Sequence, residues 1–249
     1  MPERILFISD LHLEESRPDI TATLLQFLDS NRGRCSALYI LGDLFDVWIG
    51  DDERSELITE ISAALRAFAE TGPSIYILHG NRDFLIGEAF ASSCGAQLIF
   101  EPFLLDTEAG TVVLLHGDSL CTDDVDYMQF RETVRQGSWQ QEFLAKPLKE
   151  RRAFAEQARQ QSQQATAQKD TAIMDVNAEA VLQLCRESRQ FILIHGHTHR
   201  PALHNLQFDD PVNGSDGGTR MVLGDWDTQG WYGEIGGTQI QLHRLAFSK

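Results

Sequence analysis

Five short groups in this chain join metal-ligating side chains to glycine or to each other: Asp10-Leu11-His12, Gly42-Asp43, Gly80-Asn81, His116-Gly117-Asp118 and His195-Gly196-His197. Carboxylate, amide oxygen and imidazole together suit Mn²⁺, Fe²⁺ or Zn²⁺ better than Ca²⁺. No Cys falls in these groups, which argues against a structural thiolate zinc site. In an extended chain positions two apart project from one face, so Asp10 and His12 would point into one site. Alone, that pair reads as readily as a solvated Asp with a His capping a turn; the other four groups weigh against it. Each glycine beside a ligand lets the backbone turn sharply or approach closely. Asp10, His12, Asp43, Asn81, His116, His195 and His197 supply the donors that two divalent ions need, about four each with one carboxylate shared. Two ions roughly 3.5–4 Å apart activate water and neutralise charge on a phosphoryl group. His79, His199, His204 and His243 read as packed or solvated side chains, with His199 able to orient a ligand from behind.

The elements that must carry these groups follow from apolar patterning. Residues 5–8, 37–41 and 74–78 are short apolar runs rich in β-branched and aromatic residues, the mark of buried strands. Residues 19–30 and 53–70 carry apolar positions at helical spacing. Strand, helix, strand, helix, strand predicts an α/β sheet with right-handed crossovers, whose ligands bind beyond the carboxyl ends of the strands. Residues 103–106 and 111–115 predict a hairpin around Glu108-Ala109-Gly110. Residues 123–187 lack strand signals and are rich in Gln, Ala, Arg and Glu, which predicts several helical segments. Residues 191–194 predict another strand, and the tail from Ala202 predicts a closing antiparallel sheet with turns at Gly217-Gly218 and Gly236-Gly237.

At 249 residues and 42% hydrophobic, the chain can bury a full core as one larger domain or one domain with an insertion. Its apolar runs fall far short of the roughly 20 residues that span a bilayer. The N-terminus enters a strand without a basic segment or an apolar run before it, so no signal peptide is expected. Four scattered cysteines (Cys35, Cys94, Cys121, Cys185) read as thiols of a reducing compartment. The net charge of −16 argues against generic nucleic-acid binding. Between Arg131 and Lys169, however, eight Lys or Arg face four Glu. That basic island invites an anionic partner, although a solvated helix face explains such a run more often.

The motifs DxH…GD…GN[R/H][D/E]…HG…GHxH, in this order, resemble the calcineurin-like metallophosphoesterases. The resemblance implies a β-sandwich flanked by helices with the site at the strand ends. It implies that Asp10, His12 and His197 hold one metal, Asn81, His116 and His195 the other, and Asp43 bridges them. Where many relatives have Asn-His-Glu, this chain has Asn81-Arg82-Asp83. An arginine is no general acid at neutral pH, but its fork can hold two phosphate oxygens, which favours a pyrophosphate substrate with a phosphate leaving group.

The stretches FISDLHL, ILGDLFDVWIGDD, HGNRDFLIG, LLHGDSLCTDDVDY, AIMDVN and IHGHTHRPALH are similar, over nearly the full chain, to the UDP-2,3-diacylglucosamine pyrophosphohydrolase family of the lipid A pathway. This implies release of UMP and 2,3-diacylglucosamine 1-phosphate by water attack on the α-phosphorus, with two Mn²⁺ per chain; Mg²⁺, Fe²⁺ and Zn²⁺ are compatible with the same donors. The implied catalytic residues are Asp43, Asn81, Arg82, His116 and His195. The implied substrate contacts are Asn81, Arg82, Asp124, Ser162, Thr166, Lys169 and His195, with Thr166 standing where Asn is expected. Residues 1–249 would form a single domain, with a helical insertion at 123–169 that caps the site, receives acyl chains and rests on the anionic surface of the inner membrane, at its cytoplasmic face. Trp139, Phe143, Leu144, Leu148 and Phe154 would line that insertion, or simply pack the core. No nucleic acid and no obligate protein partner are expected. The alternative is a metallophosphoesterase acting on a soluble nucleotide or UDP-sugar, which has no use for a basic, apolar insertion. A non-catalytic scaffold is disfavoured by the complete set of ligand types.

Overall fold

A computed structural model describes residues 3–166 and 175–247. The apolar runs form parallel strands because the chain covers them on both faces. β1 (Arg4–Ile8), β2 (Ala37–Leu41), β3 (Ser74–Leu78) and β4 (Ala96–Ile99) run parallel in that order. β10 (Gly230–Gly236) and β11 (Gln239–Leu245) extend this sheet antiparallel on the far side of β1. The second sheet has the order β5 (Phe103–Thr107), β6 (Gly110–Leu114), β7 (Ile192–His195), β9 (Ser215–Val222), β8 (Ala202–Val212).

Side-chain alternation divides each run between two cores. Leu6, Ile8, Leu38, Ile40, Ile75 and Ile77 face α1 (Pro18–Asn31), α2 (Glu56–Ala69) and α3 (Glu88–Cys94). Ile5, Phe7, Tyr39 and Leu41 face Val112, Leu114, Ile192 and Ile194 of the other sheet. On that sheet's outer side Val113 and Leu193 meet Val181 and Cys185 of α7 (Ala178–Ser188). The architecture is the predicted β-sandwich flanked by helices, and every strand that delivers a motif is buried on both faces.

Local chemistry sets the boundaries. The helix expected over 53–70 starts at Glu56, because the Ser55 hydroxyl caps it by accepting from the Ile58 N–H. α3 and β4 are too short for periodicity to reveal. The described residues of the region 123–187 form α4 (Val125–Val134), α5 (Gly137–Leu144), α6 (Leu148–Thr166) and α7. Among the described residues no helix is long and apolar enough to cross a membrane.

Candidate metal centre

β1 ends at Ile8, and the chain beyond it is not extended. Asp10 and His12 have φ of 56° and 50°, in the left-handed region. The condition of an extended chain therefore fails, yet Asp10 and His12 still enter one site. Asp43 (φ 53°), His197 (φ 68°) and His199 (φ 54°) share that conformation, which costs an L-residue about 1–2 kcal/mol. Such strain persists only where the surroundings fix it. Here the Asp10 N–H donates to the Gly42 carbonyl (3.1 Å), the His12 N–H to that of Asp43 (3.0 Å), and the His197 N–H to the Asp10 carboxylate (3.0 Å). The loops beyond β1, β2 and β7 thus hold one another.

These loops gather donors into two adjoining groups. In the first, His12 Nε2 lies 3.3 Å from His199 Nε2, and His199 Nε2 lies 3.5 Å from Asp10 Oδ1. In the second, Asn81 Oδ1 lies 2.9 Å from His116 Nε2 and 2.8 Å from His197 Nδ1. Asp43 stands between them, its Oδ2 3.9 Å from His12 Nε2 and 3.7 Å from His116 Nε2. Donor atoms of Asp10, His12 and His199, and again of Asp10, Asp43 and His116, lie within 4.8 Å of one another. His116 Nδ1 donates to the Leu41 carbonyl at 2.9 Å, which leaves the Nε2 lone pair facing the site.

The structure places the three histidines of the last motif in different surroundings. His195 is the last residue of β7, paired with Val222 and fully buried. Its Nδ1 lies 2.9 Å from the Gly196 carbonyl and its Nε2 3.3 Å from Arg220 Nη1, so neither nitrogen is left for a metal or a substrate. His199 takes the vacated place, but beside Asp10 and His12, while His197 joins Asn81 and His116 instead of Asp10 and His12. The sequence offers two overlapping His-x-His triplets in His195–His199 and cannot choose between them. The end of β7 chooses, since ligands lie beyond a strand and not on its ladder.

The donors fit divalent cations in chemistry and in what they lack. Burial drives the Asp43 carboxyl up to about 7, helped by Asp83 and Asp10 and opposed by His116. Burial would lower His116, yet Asp43, Asp10 and Asp118 raise it to about 9. Burial likewise opposes charge on His199, which Asp10 and Asp225 bring up to about 10, whereas it holds His12 down to about 3 and His197 to about 4. Buried His12 Nδ1 has no hydrogen-bond partner. Carboxylates and imidazoles so crowded compete for protons, and a cation answers all of them at once. Two glycines keep the space open. A Cβ on Gly80 would lie 2.1 Å from Asp43 Oδ1, and one on Gly196 would lie 2.1 Å from Asp10 Oδ2.

Several residues around this centre lie outside the expected ligands and substrate contacts. Buried Asp83 accepts from the Gly80, Asp43 and Leu44 N–H groups at 2.9, 3.2 and 2.8 Å, tying the second loop to the third. The Tyr127 hydroxyl donates to Asp118 at 2.6 Å, and its ring stacks 6.1 Å from that of His197. Arg131 bridges Asp118 and Glu101, Arg135 donates to the Gly80 carbonyl at 2.8 Å, and Arg159 pairs with Asp46. Buried Arg151 pairs with Asp52, and Arg152 with Glu53. The basic island is thus no free cationic face. Most of its arginines bind acidic or carbonyl groups of the core, while Lys146 and Lys149 stay exposed near exposed Leu144 and Phe154. Trp139 and Phe143 stack 4.8 Å apart against the main core.

Of the expected substrate contacts, Arg82 is half-buried at the site, its N–H donating to Asp43 Oδ1 at 2.8 Å. Asp124 caps α4 by accepting from the Tyr127 N–H at 3.2 Å. Lys169 lies outside the described residues, as do the side chains of Ser162 and Thr166.

Strand-end loops carry these donor groups on a sandwich core, and the family model described as calcineurin-like phosphoesterase matches residues 3–201. The chain belongs to that family. Its curated relatives include proteins named UDP-2,3-diacylglucosamine hydrolase. The one from Marinobacter nauticus is 47% identical over 94% of this chain and 94% of its own. The one from Cellvibrio japonicus is 47% identical over 95% and 97%, and the one from Pseudomonas fluorescens 44% over 98% and 95%.

Proposed function

We propose that this chain hydrolyses the pyrophosphate bond of UDP-2,3-diacylglucosamine, giving UMP and 2,3-diacylglucosamine 1-phosphate in lipid A biosynthesis. The observation that carries this reading is the shared carboxylate. Asp43 Oδ2 faces His12 Nε2 at 3.9 Å and His116 Nε2 at 3.7 Å, so one side chain serves both donor groups. Asp10, His12, Asp43 and His199 would hold one divalent cation, and Asp43, Asn81, His116 and His197 the second, with Mn²⁺ suited to this donor set. Bound there, two cations supply an activated water and neutralise charge on the phosphoryl oxygens.

The chain's own residues orient the reaction. The Arg82 backbone N–H is anchored on Asp43 Oδ1, its guanidinium fork would hold the oxygens of the two linked phosphates, and a phosphate leaving group needs little protonation. No covalent step is required. Burial raises the thiols of Cys94 and Cys121 to about 12 and of Cys185 to about 11, which keeps them protonated and inert. The helices α4–α6 act as the cap, docked on the core by Tyr127, Arg131, Arg135, Arg151 and Arg159. Exposed Val125, Phe130, Leu144 and Phe154, with Lys146 and Lys149, suit a lipid substrate presented at the cytoplasmic face of an anionic inner membrane.

Hydrolysis in ¹⁸O water tests the reading: label in UMP places attack on the α-phosphorus, and label in the sugar phosphate refutes that step. Equal efficiency on UDP-GlcNAc and the diacylated substrate would overturn the assignment of the lipid substrate.

A further inference from the structure

A cavity of about 300 Å³ is formed by the loop after β7, the start of β8 and the end of β9, with Thr198, Arg200, His204, Arg220, Asp175 and Val222 among its lining. Thr198 sits between His197 and His199, so the cavity shares a loop with the proposed cation ligands. Two of its polar atoms are buried without any hydrogen-bond partner, Thr198 Oγ1 and Arg220 Nε. Unpaired buried donors are costly, about 1–3 kcal/mol each, and two on residues that line one cavity point to a bound acceptor. The charges are Arg220, Arg200 and Asp175, the last two paired with each other, with half-buried His204 beside them. Arg220 Nη1 also lies 3.3 Å from His195 Nε2.

We propose that this cavity seats the nucleoside of the substrate's UMP half, Arg220 and Thr198 donating to the carbonyl and hydroxyl oxygens of a pyrimidine nucleoside. The inference rests on the proposed hydrolysis of a UDP-linked lipid and adds where the polar half lies. The size supports it: about 300 Å³ is at the lower end for small-molecule pockets, enough for a nucleoside and not for two acyl chains. Val222, Pro201 and Ala202 offer an apolar wall to a flat ring. Asp175 offers an acceptor for a ring N–H or a ribose hydroxyl. The aromatic and aliphatic surface that acyl chains need lies instead on α4–α6, so the two halves of the substrate diverge from the pyrophosphate.

Calorimetric titration of the Mn²⁺-loaded protein with UMP, and separately with inorganic phosphate, tests this. Arg220→Gln should weaken UMP about tenfold or more, and Thr198→Val and His204→Ala about threefold to tenfold each, while phosphate binding stays unchanged. KM for the lipid substrate should rise with kcat little altered. Unchanged UMP affinity in Thr198→Val and His204→Ala would overturn the proposal even if Arg220→Gln fails to fold. Equal weakening of UMP and phosphate would overturn it too, by reducing the cavity to an anion site. Because UMP binding is read directly, a wild-type protein that binds UMP here yet fails to hydrolyse the lipid refutes the proposed function and leaves the subsite standing.

Discussion

Gly80→Ala isolates the placement of Asp43 from every ligand atom. The new Cβ would lie 2.1 Å from Asp43 Oδ1 and 2.3 Å from Asp43 N, whereas carbon needs roughly 3.4 Å or more. One of the two loops must therefore move by about 1 Å. Overpacking of this kind costs about 1–3 kcal/mol, within the 5–15 kcal/mol that keeps a domain folded. At about 2–4 °C per kcal/mol for a chain of this size, melting should fall by roughly 2–12 °C. The catalytic loss is larger, since a displacement of about 1 Å at a reacting centre costs on the order of 10²-fold, near 3 kcal/mol of barrier. Release of UMP at saturating Mn²⁺, metal content per chain and thermal unfolding would be measured together. Gly137→Ala is the control, because a Cβ there meets nothing within 4 Å, and helix propensity makes it neutral or mildly stabilising. A folded Gly80→Ala protein with activity within about threefold of wild type would refute the claim that close loop approach sets the shared carboxylate.

Exchanging the histidines checks the proposed ligand set. His199→Ala should lower bound metal and reduce activity by on the order of 10²-fold or more, whereas His195→Gln should keep metal stoichiometry and lose mainly stability; the reverse order would restore the original assignment. Asp83→Ala strands three buried N–H groups, those of Gly80, Asp43 and Leu44. At about 1–3 kcal/mol each the loss should reach roughly 3 kcal/mol or more in denaturant unfolding, and a loss below about 1 kcal/mol would mean that the loops hold without it. Chelation should lower the melting temperature by leaving Asp10 and Asp43 uncompensated, and Mn²⁺ at about 100 times its Kd should restore about 2.7 kcal/mol. A melting temperature indifferent to both treatments would argue against the cation site.

Much of the fold was legible in single runs. Residues 37–41 and 74–78 read as buried strands because a parallel sheet covered on both faces leaves no polar alternation, and both match observed strands. The helix at α1 announced itself through Ile20, Leu24, Phe27 and Leu28, all buried. α3 and β4 stayed hidden, since seven and four residues are too few for a period. The basic island was visible as charge, but only contacts distant in sequence reveal that Arg131, Arg151 and Arg159 are committed to Glu101, Asp52 and Asp46.

The sequence by itself determined the chemistry of the centre: Asp10, His12, Asp43, Asn81 and His116, each at or just beyond the end of an apolar run, name a divalent-cation site before any coordinate. It also carried Gly80 and Gly196, whose missing side chains the close loops require. Tertiary structure decided where each imidazole stands. His195 and His199 are the same residue type four positions apart, and composition treats them alike. Only the β7–β9 ladder distinguishes them, burying His195 against Val222 while the chain beyond turns left-handed and brings His199 to within 3.5 Å of Asp10. A ligand needs a nitrogen free of other bonds and a backbone that points it inward, and both are properties of the assembled strand ends.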